Sequence, residues 1–426
     1  MTILIQGGKL VDPSQGLNKK TDLLIEKGKV AGLGKITPEK GWKVVDARGW
    51  IVAPGFIDMH VHLREPGRED KETVATGTRA AVAGGFTGVA CMPNTDPIND
   101  CEAITRFIRE KARESNLAHV YPIGAITKGE DGAELAEIGE MVKAGAVALS
   151  DDGRPVQNNQ IMRRALEYSK IFDIAILDHC EDVNLAARGS MNESAVSTEL
   201  GLRGINGAAE EMQVARDVVL GRLTHARVHI CHLSTRESLD WVRMGKKQGI
   251  RITCEVTPHH FTLSDEAIRS YDTNFKVNPP LRSKSDVEAL LEGLADGTVD
   301  TIATDHAPHT SLDKDVTFEE AACGVVGMET AVPLVWEFLV LKGVISESRA
   351  VELLSVNPSR ILRIDRGTLQ QGAIADVTLI DPKRRIKIDA KQFASKGRNC
   401  PYQDWELRGV PMMTIVGGRI VYERPA

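Results

Sequence analysis

The stretch GFIDMHVH (55–62) is an apolar run that closes on two histidines, His60 and His62, two positions apart. In an extended strand, alternate side chains face the same way, so both imidazoles leave the strand on one side. The run before them is too apolar for a strand with a wet face and reads as a strand buried on both sides. Seven further runs of this kind follow: GVACMP (88–93), HVYPIG (119–124), AVALSD (146–151), IAILDH (174–179), RVHICH (227–232), RITCEV (251–256) and DTIATD (300–305). Helix-patterned stretches separate them. Eight β-then-α units over about 250 residues predict a parallel (β/α)8 TIM barrel of the α/β class.

The flanks have a different texture. TILIQGGKLVD (2–12), GTLQQGAIADVTLIDP (367–382) and MMTIVGGRIVYE (412–423) alternate apolar and polar residues around Gly turns. That is the pattern of antiparallel strands with one solvated face. The expected organisation is a barrel over 54–359 and a small composite β-sandwich built from 1–53 and 360–426. Long segments after the fifth run (180–226) and the eighth (306–324) fall on the side where such barrels carry their active-site loops.

Composition narrows the classes of function. Hydrophobic residues make up 42% and charged residues 26%, with a net charge of −6, so an ordinary globular chain is expected. No Lys/Arg block marks a nucleic-acid partner. No apolar stretch reaches the roughly 18 residues of a membrane span, and the N-terminus lacks the pattern of a signal peptide. Seven cysteines without a C-x-x-C pair suit reduced thiols in the cytoplasm.

Five of the eight runs end in His or Asp. H-x-H at a strand exit could be mere polarity, and His179 or His232 taken singly could be a satisfied core histidine. Asp305, closing TIATD, must be paired, hydrogen-bonded or metal-bound, because an unpaired buried charge is very costly. VALSDDGRPV (147–156) adds Asp151 and Asp152. Asp before Gly is ordinary turn chemistry, and the residues alone do not choose between the two. Convergence of all five on one barrel face points to a divalent metal of the zinc type. Strand parity places His229 on the helix side, and Cys180 and Cys231 opposite their histidine neighbours as packing thiols. His259 and His260 read as structural or rim residues. His306 should point away from Asp305, while His309 can return to the site.

Three longer motifs carry a resemblance: PGFIDMHVHLREPG (54–67), GGFTGVACMPNT (84–95) and ATDHAPH (303–309). With DDG, DHCE (178–181) and VNPPLR (277–282), the chain resembles the amidohydrolase superfamily and, in detail, the type I bacterial dihydroorotases, over nearly its whole length. That resemblance implies reversible cyclisation of N-carbamoyl-L-aspartate to L-dihydroorotate in pyrimidine biosynthesis. It implies one or two Zn2+ ions, two favoured. His60, His62 and Asp305 would hold one, His179 and His232 the other, with Asp152 bridging and Asp151 turned into a backbone hydrogen bond. Asp305 would move the proton between water and the amide nitrogen. His62, Arg64, Asn94, Asn278, His309, Cys323 and Gly324 would meet substrate. Cys323 departs from the aromatic or Pro more usual before that Gly. The resemblance also implies a mobile lid over 307–324, a homodimer and possible association with aspartate transcarbamoylase. Rivals on the same fold are dihydropyrimidinase, hydantoinase and allantoinase, which usually bridge their metals with a carbamylated lysine at the end of strand 4. No lysine lies between Lys143 and Lys170 here. A non-catalytic scaffold subunit of aspartate transcarbamoylase is a further alternative, but such proteins typically lose metal ligands.

Overall fold

The computed structural model describes residues 2–425. Its centre is one eight-stranded sheet in sequential order: β1 (Phe56–Val61), β2 (Phe86–Cys91), β3 (His119–Ala125), β4 (Ala148–Ser150), β5 (Ala175–Asp178), β6 (Arg227–Ile230), β7 (Ile252–Val256) and β8 (Thr301–Ile302). Every neighbouring pair is parallel. Each strand coincides with one of the eight apolar runs.

The ring closes between β1 and the chain just past β8. Val61 bridges to His306, and the His62 amide donates to the His306 carbonyl at 2.8 Å. One turn below, the Asp58 carboxylate accepts from the Thr304 amide at 3.0 Å and the Thr304 hydroxyl at 2.5 Å. Inside the barrel, Ile57, Met59, Ala90, Ile123, Ala148 and Leu177 pack as one cluster. On its outside, Val89, Leu149, Ile176, Val228 and Val256 pack against the helices in a much larger one. That double burial is why the strands read as continuous apolar runs.

The flanks form two further sheets. One has four strands, all from the first 46 residues. The other has six and interleaves both ends of the chain: Ile51–Pro54 lies antiparallel to Val377–Ile380, with Glu406–Val416 beyond. Ile3, Ile5, Leu10, Leu23, Val377 and Ile415 bury their side chains between them. Between Val377–Lys387 and Glu406–Val416 the chain leaves the sheet and lies on the barrel, where Ser395 donates to Glu72 at 2.5 Å.

The two long barrel-top segments are structured. Residues 180–226 hold helices Val183–Ala186, Ala195–Leu200 and Ala208–Thr224. Residues 306–324 contain a short helix, Ser311–Lys314, capped by Thr310. Among the described residues, no helix is long and apolar enough to cross a membrane. All seven cysteines are unpaired.

Candidate metal centre and active site

Six side chains predicted from sequence meet at the C-terminal end of the barrel. Asp152 lies at their centre. Its Oδ1 is 3.4 Å from His60 Nε2, 3.5 Å from His179 Nδ1 and 3.5 Å from His232 Nε2, and its Oδ2 is 3.5 Å from His62 Nε2. Asp305 Oδ1 is 2.9 Å from His62 Nε2 and 3.6 Å from His60 Nε2. All six are buried. His60, His62 and Asp305 offer one set of atoms within 4.8 Å of each other, and His60, Asp152 and His232 a second. His179 lies against the second set, with its Nδ1 2.9 Å from His232 Nε2.

These groups are short of positive charge. His60 Nε2 and Asp152 Oδ1 face one another, buried and without a hydrogen-bond partner, and His232 Nδ1 is likewise orphaned. Orphaned buried polar atoms are rare and call for a partner. Burial alone would drive protons off the His60 ring, yet Asp152 and Glu255 raise it well above the usual imidazole range. Burial would raise Asp152 and Asp305, but the surrounding histidines hold both carboxyls far down. A cluster of imidazoles and carboxylates that favours cationic charge fits a divalent metal, and the facing orphans His60 Nε2 and Asp152 Oδ1 supply lone pairs for it.

Left-handed backbone aims several of these residues. Arg64 (φ 64°), His232 (φ 31°) and Asp305 (φ 48°) follow the ends of β1, β6 and β8. This geometry corrects the parity argument for His229. β6 ends at Ile230, and the turn at His232 re-aims that side chain, so counting by two fails across it. His229 therefore faces the barrel interior rather than the helices, with Nδ1 2.8 Å from Thr253 Oγ1 and Nε2 3.1 Å from Glu255 Oε2. Cys231 is a packing thiol as expected, but it packs among the interior residues of the barrel.

Glu255 is the residue sequence reasoning missed. It is fully buried on β7, and its Oε1 lies 2.6 Å from His60 Nδ1 and accepts from the His232 amide at 3.2 Å. Burial pushes its carboxyl up, but His60 and His229 win and hold it at about 2. A carboxylate that takes the outer N–H of a metal-type histidine fixes its tautomer and orientation. Its signal was present: Thr253 and Glu255 are polar at period two inside an otherwise apolar run. Glu181 is a second omission. Its Oε2 is 3.0 Å from His179 Nε2 and accepts from Asn278 Nδ2 at 2.7 Å.

The other predicted residues surround this centre. Asn94 Oδ1 is 2.9 Å from His62 Nδ1. Arg64 is buried, and its Nη2 lies 3.3 Å from His309 Nε2. His309 Nε2 donates to the Cys323 carbonyl at 2.8 Å. Burial together with Arg64, Lys314 and Lys71 pushes its ring down to about 3, so it is neutral. Gly324 has φ +131°, and a Cβ there would meet Ala307 Cβ at 2.6 Å, so only glycine fits. Its amide donates to the Lys276 carbonyl at 2.9 Å. The 307–324 segment is tied down by Lys314, whose ammonium donates to Thr273 and Ala322 carbonyls at 3.0 and 2.7 Å.

The remaining candidates separate cleanly. Asp151 turns away from the centre and accepts from the Ile126 and Thr127 amides at 2.7 and 3.1 Å, bracing the end of β3. His306 also points away, with Nδ1 accepting from the Gly327 amide at 3.1 Å. His260 is structural, bonded to Thr257 and to the Pro279 carbonyl. His259 is buried rather than on the rim, and burial lowers its ring to about 4. Beside Asp152 opens a cavity of about 160 Å³ lined by Arg64, Arg68, Asn94, Glu130 and Arg154. Glu130 is buried there with neither carboxylate oxygen partnered, and burial plus Asp151 and Asp152 raises it to about 9.

Comparison with known proteins gives the chain's kinship. A family model described as dihydro-orotase-like matches residues 49–238. A dihydroorotase of Geobacter metallireducens is 52% identical over 425 residues, covering 100% of both chains. One of Pelotomaculum thermopropionicum is 54% identical over 423 residues, covering 99% of each. Among solved structures, the L-hydantoinase (dihydropyrimidinase) of Arthrobacter aurescens superposes with a TM-score of 0.89 at 23% identity, covering 100% of this chain and 96% of that one. That likeness shows a shared barrel fold, while half-identity from end to end is decisive for kinship. The chain belongs to the dihydroorotase family.

Proposed function

We propose that this chain catalyses the reversible cyclisation of N-carbamoyl-L-aspartate to L-dihydroorotate. The observation that carries the reading is Asp152: a single carboxylate within 3.5 Å of four histidines, at the strand-4 end where lysine-bridged relatives place a carbamate. The metal is Zn2+, with two ions favoured. His60, His62 and Asp305 would hold one and His179 and His232 the other, with Asp152 between them. Bound there, the metal would lower the pKa of a water and polarise the amide carbonyl.

The chain's own residues do the rest. Arg64 and Asn94 bind the substrate α-carboxylate, a planar anion that a guanidinium suits, and His309 makes a further substrate contact. His62 and Asn278 face the reacting end, and the Cys323–Gly324 backbone closes the far side. In hydrolysis Asp305 takes the proton of the attacking water on Oδ1 and delivers it to the leaving amide nitrogen. In synthesis it removes the proton from the ureido nitrogen. The 307–324 segment acts as a lid that limits water access.

The same reading includes a sandwich domain of 1–53 and 360–426 around a 54–359 barrel, and a cytoplasmic enzyme, in keeping with its unpaired thiols. It also includes a homodimer and association with aspartate transcarbamoylase, which size-exclusion chromatography with and without that protein would reveal.

The test is dihydroorotate hydrolysis and zinc content in wild type and Asp152→Ala, with dihydrouracil as a control substrate. Wild type should prefer dihydroorotate, and the variant should lose both metal and activity. Preference for dihydrouracil would sink the substrate assignment, and full activity in the variant would sink the bridging role.

A further inference from the structure

The loop that carries His309 and the loop that carries Cys323–Gly324 meet directly, through the Ala307 amide on the Val325 carbonyl at 2.8 Å and His309 Nε2 on the Cys323 carbonyl at 2.8 Å, and a strap between the two C-terminal strands braces both of them from elsewhere. Asn399 lies between the C-terminal strands Val377–Lys387 and Glu406–Val416, 90 residues beyond His309 in sequence. Its side chain is buried at 3% exposure. Nδ2 donates to the Ala307 carbonyl at 2.9 Å and to the Gly324 carbonyl at 3.0 Å, while Oδ1 accepts from the His309 amide at 3.1 Å. Its own carbonyl accepts from the Val326 amide at 2.9 Å. Both Nδ2 hydrogens and Oδ1 of this side chain are thus spent on the two loops, donors and acceptor that an amide carries together.

The approach is close by construction. A Cβ on Gly397 would lie 2.7 Å from both Pro308 Cβ and Val326 Cγ1, so any larger residue would hold the strap off the loops. Just before Gly397, Ser395 and Lys396 fasten the strap to Glu72, which also faces His306 Nε2 at 3.3 Å. The strap therefore grips the chain at 306–309 and again at 324–326.

We propose that Asn399 is a positioning residue for substrate binding: it acts through His309 and the Cys323–Gly324 backbone by fixing the distance between them. This rests on the dihydroorotase reading for the identity of the substrate, though not for the placement of the loops. Nothing in the proton transfer runs through Asn399, so the effect falls on binding.

The test uses the full-length, zinc-loaded protein. Asn399→Ala and Gly397→Ala should raise KM for dihydroorotate about tenfold while kcat stays within about threefold and zinc content is unchanged. In a His309→Ala background, Asn399→Ala should cost less than about twofold in kcat/KM, because residues acting through one another are non-additive. A purely structural residue would reduce the active fraction and the melting temperature, leave KM alone, and cost the same in both backgrounds; that outcome overturns the proposal. Hydrogen-exchange mass spectrometry supplies a readout independent of substrate. Peptides spanning 306–310 and 322–326 should exchange faster in Asn399→Ala, with β5 and β6 unchanged, and unchanged exchange at 306–310 also overturns it. If wild type turns over neither dihydroorotate nor N-carbamoyl-aspartate, the reaction reading falls, and the exchange result alone decides the placement.

Discussion

Two buried acidic clusters flank the end of β5, and they meet the same electrostatic problem in opposite ways. Asp178, Cys180 and Asp217 bring their ligand-type atoms within 4.8 Å of one another, as the His60–Asp152–His232 group does. In the first cluster the chain supplies its own cation. Arg216 Nη2 lies 2.6 Å from Asp178, Nε lies 2.8 Å from Asp217, and Nη1 donates to the Val156 carbonyl at 2.6 Å. In the second cluster, among the described residues, Asp152 and Asp305 pair only with histidines and with no lysine or arginine, and His60 Nε2, Asp152 Oδ1 and His232 Nδ1 are left unpartnered. A His/Cys/Asp cluster is therefore poor evidence of a metal by itself. The distinguishing mark is whether a fixed guanidinium already neutralises it.

That contrast can be broken by experiment. The largest effect belongs to the incomplete cluster: Asp305→Asn should lower kcat about ten-thousandfold in a steady-state assay. A near-normal rate would remove Asp305 from the chemistry. Next, Arg216→Met should destabilise the fold by about 4 kcal/mol in urea unfolding, because it strands two buried carboxylates, and added zinc should not restore it. If zinc did restore it, the first cluster would also be a metal site.

Chelation should lower stability by about 3 kcal/mol relative to protein in a hundredfold excess of zinc over its Kd, reversibly, and Asp152→Ala should not respond. Glu255→Gln should weaken zinc affinity about ten- to a hundredfold, read by competition with a chromophoric chelator. The smallest effect is at Glu130, whose folded-state carboxyl lies at about 9 against 4.5 ordinarily. Below pH 4.5 both states are protonated and it costs nothing. As pH rises towards 9, only the unfolded state releases the proton, so the penalty grows. Glu130→Gln should be near neutral at pH 5 and stabilising by about 1–2 kcal/mol at pH 8. Equal effects at both values would show that Glu130 is already paired.

Much of this was legible before any coordinates. All eight strands fell on apolar runs because double burial leaves no room for polar alternation. His60, His62, His179, His232 and Asp305 could be found because each closes such a run, where a charge needs a reason. His229 was misplaced because parity is a property of regular strands, and β6 has already ended when the chain reaches His232. Glu255 was passed over because it lies inside a strand rather than at its end, and its partners come from β1 and β6. Asn399 was beyond reach for a related reason: its role depends on a strap that leaves a sheet and lies across the barrel, which no local pattern encodes.

The seam of the barrel has a consequence for how the protein comes to exist. The ring is completed by the His62 amide on the His306 carbonyl and by Asp58 on Thr304, so His60 lies between the two seam residues of one strand and Asp305 between those of the other. The first and last strands lie some 240 residues apart, a contact of high order that forms late and slowly. Ring closure and assembly of the His60–His62–Asp305 trio are thus a single event. A nascent chain still lacking its last barrel strand has two members of that trio, His60 and His62, and not the third, so the capacity to concentrate charge at this point arrives only with the finished fold.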